Sequence, residues 1–274
     1  NANGCMDQLA QQIEIFDNPE FTLTPSDVLC FGDATGNILV SPTIGAAPLD
    51  FILDGGTPQA SSTFSNHSVG IYSITVTDAN GCSTSEEAII DQPEELGISV
   101  NAYIDILCHG DATGTIDVSG TGGTNPYTFT LDGGFSQPSG FFSGLLAGTH
   151  DLNIIDDNGC SFDTTMTLTE PEPLVLIVDS ISNLLCNGDS TGWVDVSGIG
   201  GVIPYEFSID GLAFDVADMF NTLAAGTYTL TVRDENGCTN AIDVTVTEPG
   251  VLMLSLLGTT DALCNGQASG SVSV

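Results

Sequence analysis

The eight cysteines of this chain follow a fixed spacing, and that spacing constrains the fold more than any other feature. They form two interleaved series with a step of 78 residues, except for a step of 77 from Cys5 to Cys82. The first series is Cys30, Cys108, Cys186 and Cys264, and the second is Cys5, Cys82, Cys160 and Cys238. Self-similarity at a fixed period indicates repeated structural units. We therefore expect an array of small domains and not one large domain.

The remaining sequence of each unit keeps the same register and predicts short strands. Each first-series cysteine is followed by a Gly-Asp turn, or by Gly-Gln in the case of Cys264, and then by a strand of alternating apolar residues, such as Ile38 and Val40. A later strand ends in Asn-Gly-Cys, and Asn-Gly is a strong hairpin signal. About seven short strands in fewer than about 100 residues are typical of an immunoglobulin-like sandwich. The expected fold is all-β: tandem immunoglobulin-like β-sandwich repeats of 78 residues that form an elongated rod.

Prolines that cannot continue a strand ladder mark the boundaries between units. The predicted divisions are 1–19 as the last strand of a preceding repeat, 20–94, 95–172 and 173–249 as three repeats, and 250–274 as the first strands of a following repeat. Because both ends fall inside such patterns, we expect a secretion signal and an anchor to lie outside this sequence.

The charge of the chain excludes several classes of function. Lysine and arginine together number 1, aspartate and glutamate number 36, and the formal net charge is -35. Such a surface repels nucleic acid and anionic membranes, so we expect neither nucleic-acid binding nor direct membrane insertion. Nearly every polar feature recurs in each unit as part of a turn or strand. The sequence therefore predicts that these polar residues have structural roles and that the chain is not an enzyme.

Regularly spaced cysteines without a Cys-x-x-Cys pair favour disulfides over metal sites. Three pairings are open: Cys30 with Cys82 inside one unit, Cys82 with Cys108 across a boundary, or Cys108 with Cys238 and Cys30 with Cys160 between facing poles of adjacent units. We favour the third, because a disulfide needs Cα atoms within about 7 Å and the two cysteines of one sandwich lie at opposite poles. The remaining cysteines, Cys5, Cys82, Cys186 and Cys264, would then bond to repeats outside this sequence.

Aspartates in the turns are candidate calcium ligands, because calcium takes six to eight oxygen ligands from such loops. The candidates are Asp33, Asp111 and Asp189 in the Gly-Asp turns, and Asp78, Asp156 and Asp234 before the Asn-Gly turns. The alternative is that these aspartates form hydrogen bonds with the main chain of the turns and keep the chain soluble. Calcium is the one cofactor considered, and the sequence does not identify ligand-binding residues.

The combined motif resembles the SprB-repeat family of Bacteroidetes cell-surface adhesins. Between Cys186 and Pro249 it comprises Cys-x-Gly-Asp-x-Thr-Gly, Pro-Tyr-x-Phe, Ala-Gly-Thr-Tyr-x-Leu-x-Val-x-Asp-x-Asn-Gly-Cys and Thr-Glu-Pro. Departures are scattered: Leu49 and His150 replace tyrosines, and Gln267 replaces an aspartate. The resemblance implies secretion to the cell surface and a role in adhesion and gliding motility.

The leading hypothesis for function is a structural repeat region of an extracellular adhesin or surface filament, which acts as a stalk. One alternative is a set of spacer modules in a secreted multidomain polysaccharide-degrading enzyme. Another is a set of calcium-dependent glycan-binding repeats. The expected partners are neighbouring repeats of the same chain, other copies of the fibre, and surface glycans.

Overall fold

The computed structural model describes residues 13–274, and all the regular structure of these residues is β-strand. It divides into two compact units, and the middle repeat contributes to both. The first comprises residues up to Tyr103, Ile116–Phe142 and Thr149–Met166, and the second comprises Ile104–Thr115, Ser143–Gly148 and Thr167–Val274. Cys5 and most of the predicted last strand of a preceding repeat lie outside the described residues. Residues 13–19 form no strand.

The first repeat contains two small antiparallel sheets. Its strands are β1 (Glu20–Ser26), β2 (Gly36–Ile44), β3 (Asp50–Leu53), β4 (Thr63–His67), β5 (Gly70–Thr77) and β6 (Ser83–Ile90). One sheet has the order β1-β2-β4 and the other has the order β3-β5-β6. The two strands that alternate most clearly in sequence, β2 and β5, therefore each lie at the centre of a sheet.

The other repeats follow the same plan. The middle repeat has β7 (Gly97–Ile104), β8 (Gly114–Thr121), β9 (Thr128–Leu131), β10 (Phe141–Leu145), β11 (Gly148–Ile155) and β12 (Ser161–Leu168). The third repeat has β13 (Val175–Ser182), β14 (Gly192–Ile199), β15 (Glu206–Ser208), β16 (Met219–Leu223), β17 (Gly226–Arg233) and β18 (Thr239–Val246). Their sheet orders are β10-β8-β7, β12-β11-β9, β13-β14-β16 and β15-β17-β18. A final pair, β19 (Gly258–Thr260) and β20 (Ser271–Ser273), follows.

Each sandwich encloses the apolar residues that alternate along its strands. In the first repeat, Ile38 of β2 and Ile74 and Val76 of β5 are fully buried and belong to one core. In the third repeat, Val194 of β14 and Leu230 of β17 hold the corresponding places. Burial of each such side chain contributes about 1.5–3 kcal/mol relative to leaving it exposed. The all-β, immunoglobulin-like fold expected from the alternation is confirmed.

The strand count is lower than the sequence predicts. Within the described residues, each repeat has six strands and one isolated bridge, which in the first repeat joins Phe51 to Gln59. The Gln59 side chain donates hydrogen bonds to the carbonyl oxygens of Ser61 and Thr63 at 2.9 and 3.1 Å. These bonds turn the chain towards β4, so the segment pairs at a single position and forms no seventh strand.

A glycine at the start of the second strand of each repeat lets the two sheets approach each other. A Cβ atom on Gly36 would lie 2.7 Å from Cγ2 of Ile90 and 2.9 Å from the carbonyl oxygen of His67. Gly114 and Gly192 face equally close contacts. This requirement explains the glycine that closes the motif after each first-series cysteine, and it fixes where the cysteine loop joins the sandwich.

Candidate functional site

The Asn-Gly-Cys turn is built around a buried aspartate. In the middle repeat, Oδ1 of Asp156 accepts hydrogen bonds from the main-chain amides of Asn158 and Cys160 at 3.0 and 2.9 Å. Its Oδ2 accepts a third, of 2.8 Å, from the amide of Thr124. Asp156 is 5% exposed. The aspartate therefore fixes the turn that presents the cysteine.

The same arrangement keeps the aspartate of the first repeat charged. Burial raises the pKa of Asp78, but hydrogen bonds from the amides of Cys82, Ala46 and Asn80 outweigh burial and lower the pKa overall. Hydrogen bonds from amides to a carboxylate favour its charged form. The carboxylate of Asp78 therefore serves as the acceptor of hydrogen bonds from main-chain amides.

The loop that carries the first-series cysteine is closed by local hydrogen bonds. In the first repeat, the amide of Asp33 donates to the carbonyl oxygen of Cys30 at 3.1 Å, and the amide of Leu29 donates to Oγ1 of Thr35 at 2.9 Å. The amide of Gly32 donates to Oε1 of Gln92 at 3.0 Å. Because Gln92 follows β6, the loop is tied to the end of its own repeat.

An acidic residue replaces this glutamine in the later repeats. The amide of Gly110 donates to Oε2 of Glu170 at 2.6 Å, and the amide of Gly188 donates to Oε2 of Glu248 at 2.7 Å. The side-chain amide of Asn187 also donates to the carbonyl oxygen of Pro249 at 3.1 Å. The closing Thr-Glu-Pro motif therefore holds the cysteine loop in place.

Two disulfides join the loop of one repeat to the turn of the next. Cys30 bonds to Cys160 with a Cα–Cα distance of 5.7 Å, and both residues lie in the first compact unit. Cys108 bonds to Cys238 with a Cα–Cα distance of 5.6 Å, and both lie in the second unit. This is the pairing between facing poles that the sequence analysis favours. We call each set of loop, turn and disulfide a junction.

An asparagine crosses each junction beside the disulfide. The side-chain amide of Asn158 donates to the carbonyl oxygen of Leu29 at 3.0 Å. In the second junction, Asn236 donates to the carbonyl oxygen of Leu107 at 2.8 Å. The asparagine of the hairpin signal thus has a second role, which the sequence analysis did not identify. The asparagine recurs before each Gly-Cys, but the hairpin turn alone accounts for that recurrence.

The structure places the calcium candidates unequally. Asp33 lines a surface cavity of about 410 Å³ beside the first disulfide, and Asp111 lines a similar one beside the second. The carboxylates of Asp78, Asp156 and Asp234 accept hydrogen bonds from turn amides. Asp189 lies in the loop of Cys186. Across residues 13–274, no three His, Cys, Asp or Glu side chains are grouped so that they could hold a metal ion. Calcium binding stays a prediction, which a calcium titration of the chelator-treated chain would test.

Three cysteines of the described region are free thiols: Cys82, Cys186 and Cys264. Each lies in a turn or loop like those of the bonded cysteines. The same region contains no helix that is long and apolar enough to cross a membrane.

Comparison with known families finds a match in each repeat. The SprB repeat family matches residues 22–58, 104–135 and 178–214, one segment in each of the three repeats. Each match covers the cysteine loop and the two strands that follow it. No curated protein sequence matches the chain.

Solved structures give weak overall matches. The three N-terminal domains of the Hoc capsid protein of bacteriophage RB49 are 10% identical, with a TM-score of 0.39, over 86% of this chain and all of that chain. Eight immunoglobulin domains of the Down syndrome cell adhesion molecule are 13% identical, with a TM-score of 0.38, over 86% of this chain and 37% of that chain. A Bacteroides ovatus protein, SGBP-B, solved with a mixed-linkage heptasaccharide, is 16% identical, with a TM-score of 0.19, over 89% of this chain and 73% of that chain.

Proposed function

We propose that this chain, which carries three SprB repeats, is part of the stalk of an extracellular adhesin or surface filament used in adhesion or gliding motility. On this proposal the repeats have a structural role and no catalytic one. The observation that carries it is the junction, because a disulfide between consecutive repeats gives the array a covalent path that does not follow the peptide chain.

The two disulfides interleave, and this changes how the chain transmits tension. Force that enters at Cys30 crosses to Cys160, runs back along the peptide to Cys108, and crosses again to Cys238. The taut peptide is then 52 residues long, whereas the peptide from Cys30 to Cys238 spans 208 residues. At about 3.5 Å per extended residue, these lengths are about 180 and about 730 Å. Interleaved disulfides therefore limit how far a pulled fibre lengthens even when its repeats unfold.

The composition supports an extracellular setting. Disulfides form and persist in oxidising environments such as the cell surface. The large negative charge keeps such a surface hydrated and prevents nonspecific association. Both features suit a stalk that stands in solution between a cell and a surface.

Single-molecule stretching tests the mechanical part of the proposal. The oxidised chain, held at its two ends and pulled until every repeat unfolds, should reach a contour about 550 Å shorter than the same chain after reduction. A chain with Cys108→Ser and Cys238→Ser should fall between these two values, because one of the two shortcuts is lost. Equal contours in oxidised and reduced samples would contradict a junction that limits extension.

Two further measurements test the setting and the shape. An antibody to the repeats should label intact cells that produce the full protein, and removal of the repeats should reduce attachment of those cells to surfaces. Labelling only after lysis would overturn the proposal. The rod predicted from the repeat sequence is tested by small-angle scattering, where a radius of gyration near the roughly 19 Å of one globule would contradict it.

A further inference from the structure

We infer that each complete junction protects its own Asn-Gly bond from deamidation, and that a junction that opens loses its asparagine irreversibly. The bonds are Asn158–Gly159 in the first junction and Asn236–Gly237 in the second. In both, the cysteine of the disulfide follows directly after the glycine. Protection depends on the geometry of these two junctions and not on a role in adhesion.

Asn-Gly favours deamidation because glycine has no side chain to hinder the approach of its main-chain nitrogen. In the first junction, the nitrogen of Gly159 attacks Cγ of Asn158, so that an N–C bond forms and the Cγ–Nδ2 bond breaks. Ammonia leaves with the proton of the glycine amide, and a succinimide ring remains. Water then opens the ring at either carbonyl and leaves aspartate or isoaspartate, so one water is consumed for each ammonia released.

Both reacting groups of the first junction are engaged in hydrogen bonds. The side-chain amide of Asn158 donates to the carbonyl oxygen of Leu29 at 3.0 Å and to Oγ1 of Thr124 at 3.1 Å. The main-chain amide of Gly159 donates to the carbonyl oxygen of Asp156 at 3.1 Å. The glycine nitrogen has to give up its proton and the asparagine side chain has to turn towards it, so all three bonds oppose the reaction.

The second junction holds its asparagine with one bond fewer. The side-chain amide of Asn236 donates to the carbonyl oxygen of Leu107 at 2.8 Å, and the amide of Gly237 donates to the carbonyl oxygen of Asp234 at 3.0 Å. Val202 stands where the middle repeat has a threonine, and valine has no hydroxyl to accept a hydrogen bond. The two junctions therefore differ by one acceptor.

Burial does not protect these asparagines, because Asn158 and Asn236 are both exposed to water. Their cross-junction acceptors, Leu29 and Leu107, belong to the cysteine loops that the disulfides hold in place. When a disulfide is reduced and its loop moves away, the asparagine loses this acceptor, while water and the glycine nitrogen remain beside it. Opening of the junction therefore releases the side chain for reaction.

The product does not restore the junction. Aspartate has no side-chain donor for the carbonyl oxygen of Leu29. Isoaspartate also adds a carbon atom to the main chain between residues 158 and 160, whose amides both donate to Oδ1 of Asp156 in the intact turn. The lengthened chain moves Cys160 away from its place beside the loop. Deamidation thus makes a temporary opening permanent.

The test compares the natural oxidised chain with two double variants, each incubated at mildly alkaline pH. Mass spectrometry follows the loss of each asparagine over time. Cys30→Ser with Cys160→Ser opens the first junction, so Asn158 should deamidate about fivefold faster, the effect of one lost hydrogen bond. Asn236 should keep its rate in this variant. The reciprocal variant, in which serine replaces both cysteines of the second disulfide, should accelerate Asn236 alone.

Thr124→Val is the matched control, because the third repeat carries valine at this place and forms the same sandwich. Its disulfides stay intact, and the main-chain amide of residue 124 still donates to Asp156. In this variant Asn158 should deamidate about fivefold faster than in the natural chain and at the same rate as Asn236. Hydrogen exchange of β11, β12, β17 and β18 should show that both repeats stay folded in every variant.

Reoxidation tests whether the opening becomes permanent. The natural chain is reduced, aged until Asn158 is lost, and returned to a glutathione buffer. It should re-form less of the Cys30–Cys160 disulfide than a chain that is reoxidised at once, and peptide mapping measures the difference.

Three results would overturn the inference. Deamidation of the natural oxidised chain as fast as that of the double variants would show that the junction gives no protection. Acceleration at both Asn158 and Asn236 in either double variant would assign the effect to general unfolding. Equal re-formation of the Cys30–Cys160 disulfide in aged and fresh chains would show that deamidation does not prevent closure.

Discussion

The side-chain amide of Asn158 donates one hydrogen bond to the carbonyl oxygen of Leu29 in the first repeat and another to Oγ1 of Thr124 in its own repeat, at 3.0 and 3.1 Å. One side chain therefore connects two repeats beside their disulfide. Because an amide donates two hydrogen bonds and a carboxylate donates none, this position should distinguish asparagine from aspartate.

Asn158→Asp should weaken the first junction. The variant replaces a donor with a charged acceptor that faces the carbonyl oxygen of Leu29, so at least the net contribution of one hydrogen bond, about 1 kcal/mol, is lost. The equilibrium between the Cys30–Cys160 disulfide and glutathione should then shift towards reduction by about fivefold. The measurement is the oxidised fraction in a series of glutathione buffers. The control is Asn80→Asp, in the turn of Cys82, which forms no disulfide within residues 13–274, and an equal shift in both variants would contradict the assigned role.

Loss of the second disulfide should destabilise the third repeat. A disulfide that closes a loop of 130 residues typically stabilises a fold by about 2–4 kcal/mol, chiefly by restricting the unfolded chain. The single tryptophan, Trp193, lies in β14, so its fluorescence follows unfolding of this repeat. Cys108→Ser with Cys238→Ser should lower the guanidinium midpoint, and Cys186→Ser should change the free energy of unfolding by no more than about 0.5 kcal/mol. Equal midpoints in all three proteins would show that the junction adds no stability.

The stability of the middle repeat should depend on pH through Asp132 and His150. Nδ1 of His150 lies 2.8 Å from Oδ2 of Asp132, and the imidazole is largely buried. Burial raises the pKa of Asp132, but hydrogen bonds from His150 and the amide of Asp151, together with the charge of His150, outweigh it. The pKa of Asp132 is therefore below its ordinary value of 3.8.

A lowered pKa means that the charged carboxylate stabilises the folded state above its ordinary pKa, and that this contribution is lost as the pH falls through the lowered value. Urea midpoints followed by circular dichroism between about pH 5 and pH 2 should fall more steeply for the natural chain than for Asp132→Asn. His150→Tyr, which introduces the residue found at this place in the other two repeats, should also flatten the curve. Parallel curves for all three proteins would contradict the assignment.

Much of the fold could be predicted from sequence because its signals are local. Ile38 and Val40 are two residues apart and therefore predict which face of β2 is buried. The Asn-Gly turns predict where strands reverse. The repeat then transfers each local assignment to two more copies. The short segment at Gln59 was not predictable in this way, because its hydrogen bonds to Ser61 and Thr63 depend on the path of the loop.

The junction was predictable only in part. Cysteine spacing leaves three pairings open, and the argument for facing poles depends on strand length, which sequence gives roughly. The roles of Asn158 and Glu170 were out of reach, because each contacts residues distant in sequence. A residue with a local role in a turn or strand end gives no sign of a second, long-range partner.

Arg233 gives the last prediction, since it is the single residue among 274 at which trypsin can cut. It ends β17, which pairs with β15 on one side and β18 on the other. Its guanidinium contacts the carboxylate of Glu206 and lies 4.1 Å from the ring centre of Phe214. A protease needs several residues in a free extended conformation, so cleavage has to wait for the third repeat to open.

The native chain should therefore resist trypsin, while the chain in denaturant is cut once, after Arg233. Because Cys108 and Cys238 lie on opposite sides of this cut, the two fragments should remain joined on a non-reducing gel and separate only when reduced. Arg233→Gln, which removes the site, is the control for cleavage elsewhere. Rapid cutting of the native chain would show that β17 is not held between its neighbours, and fragments that separate without reductant would show that the second disulfide is absent.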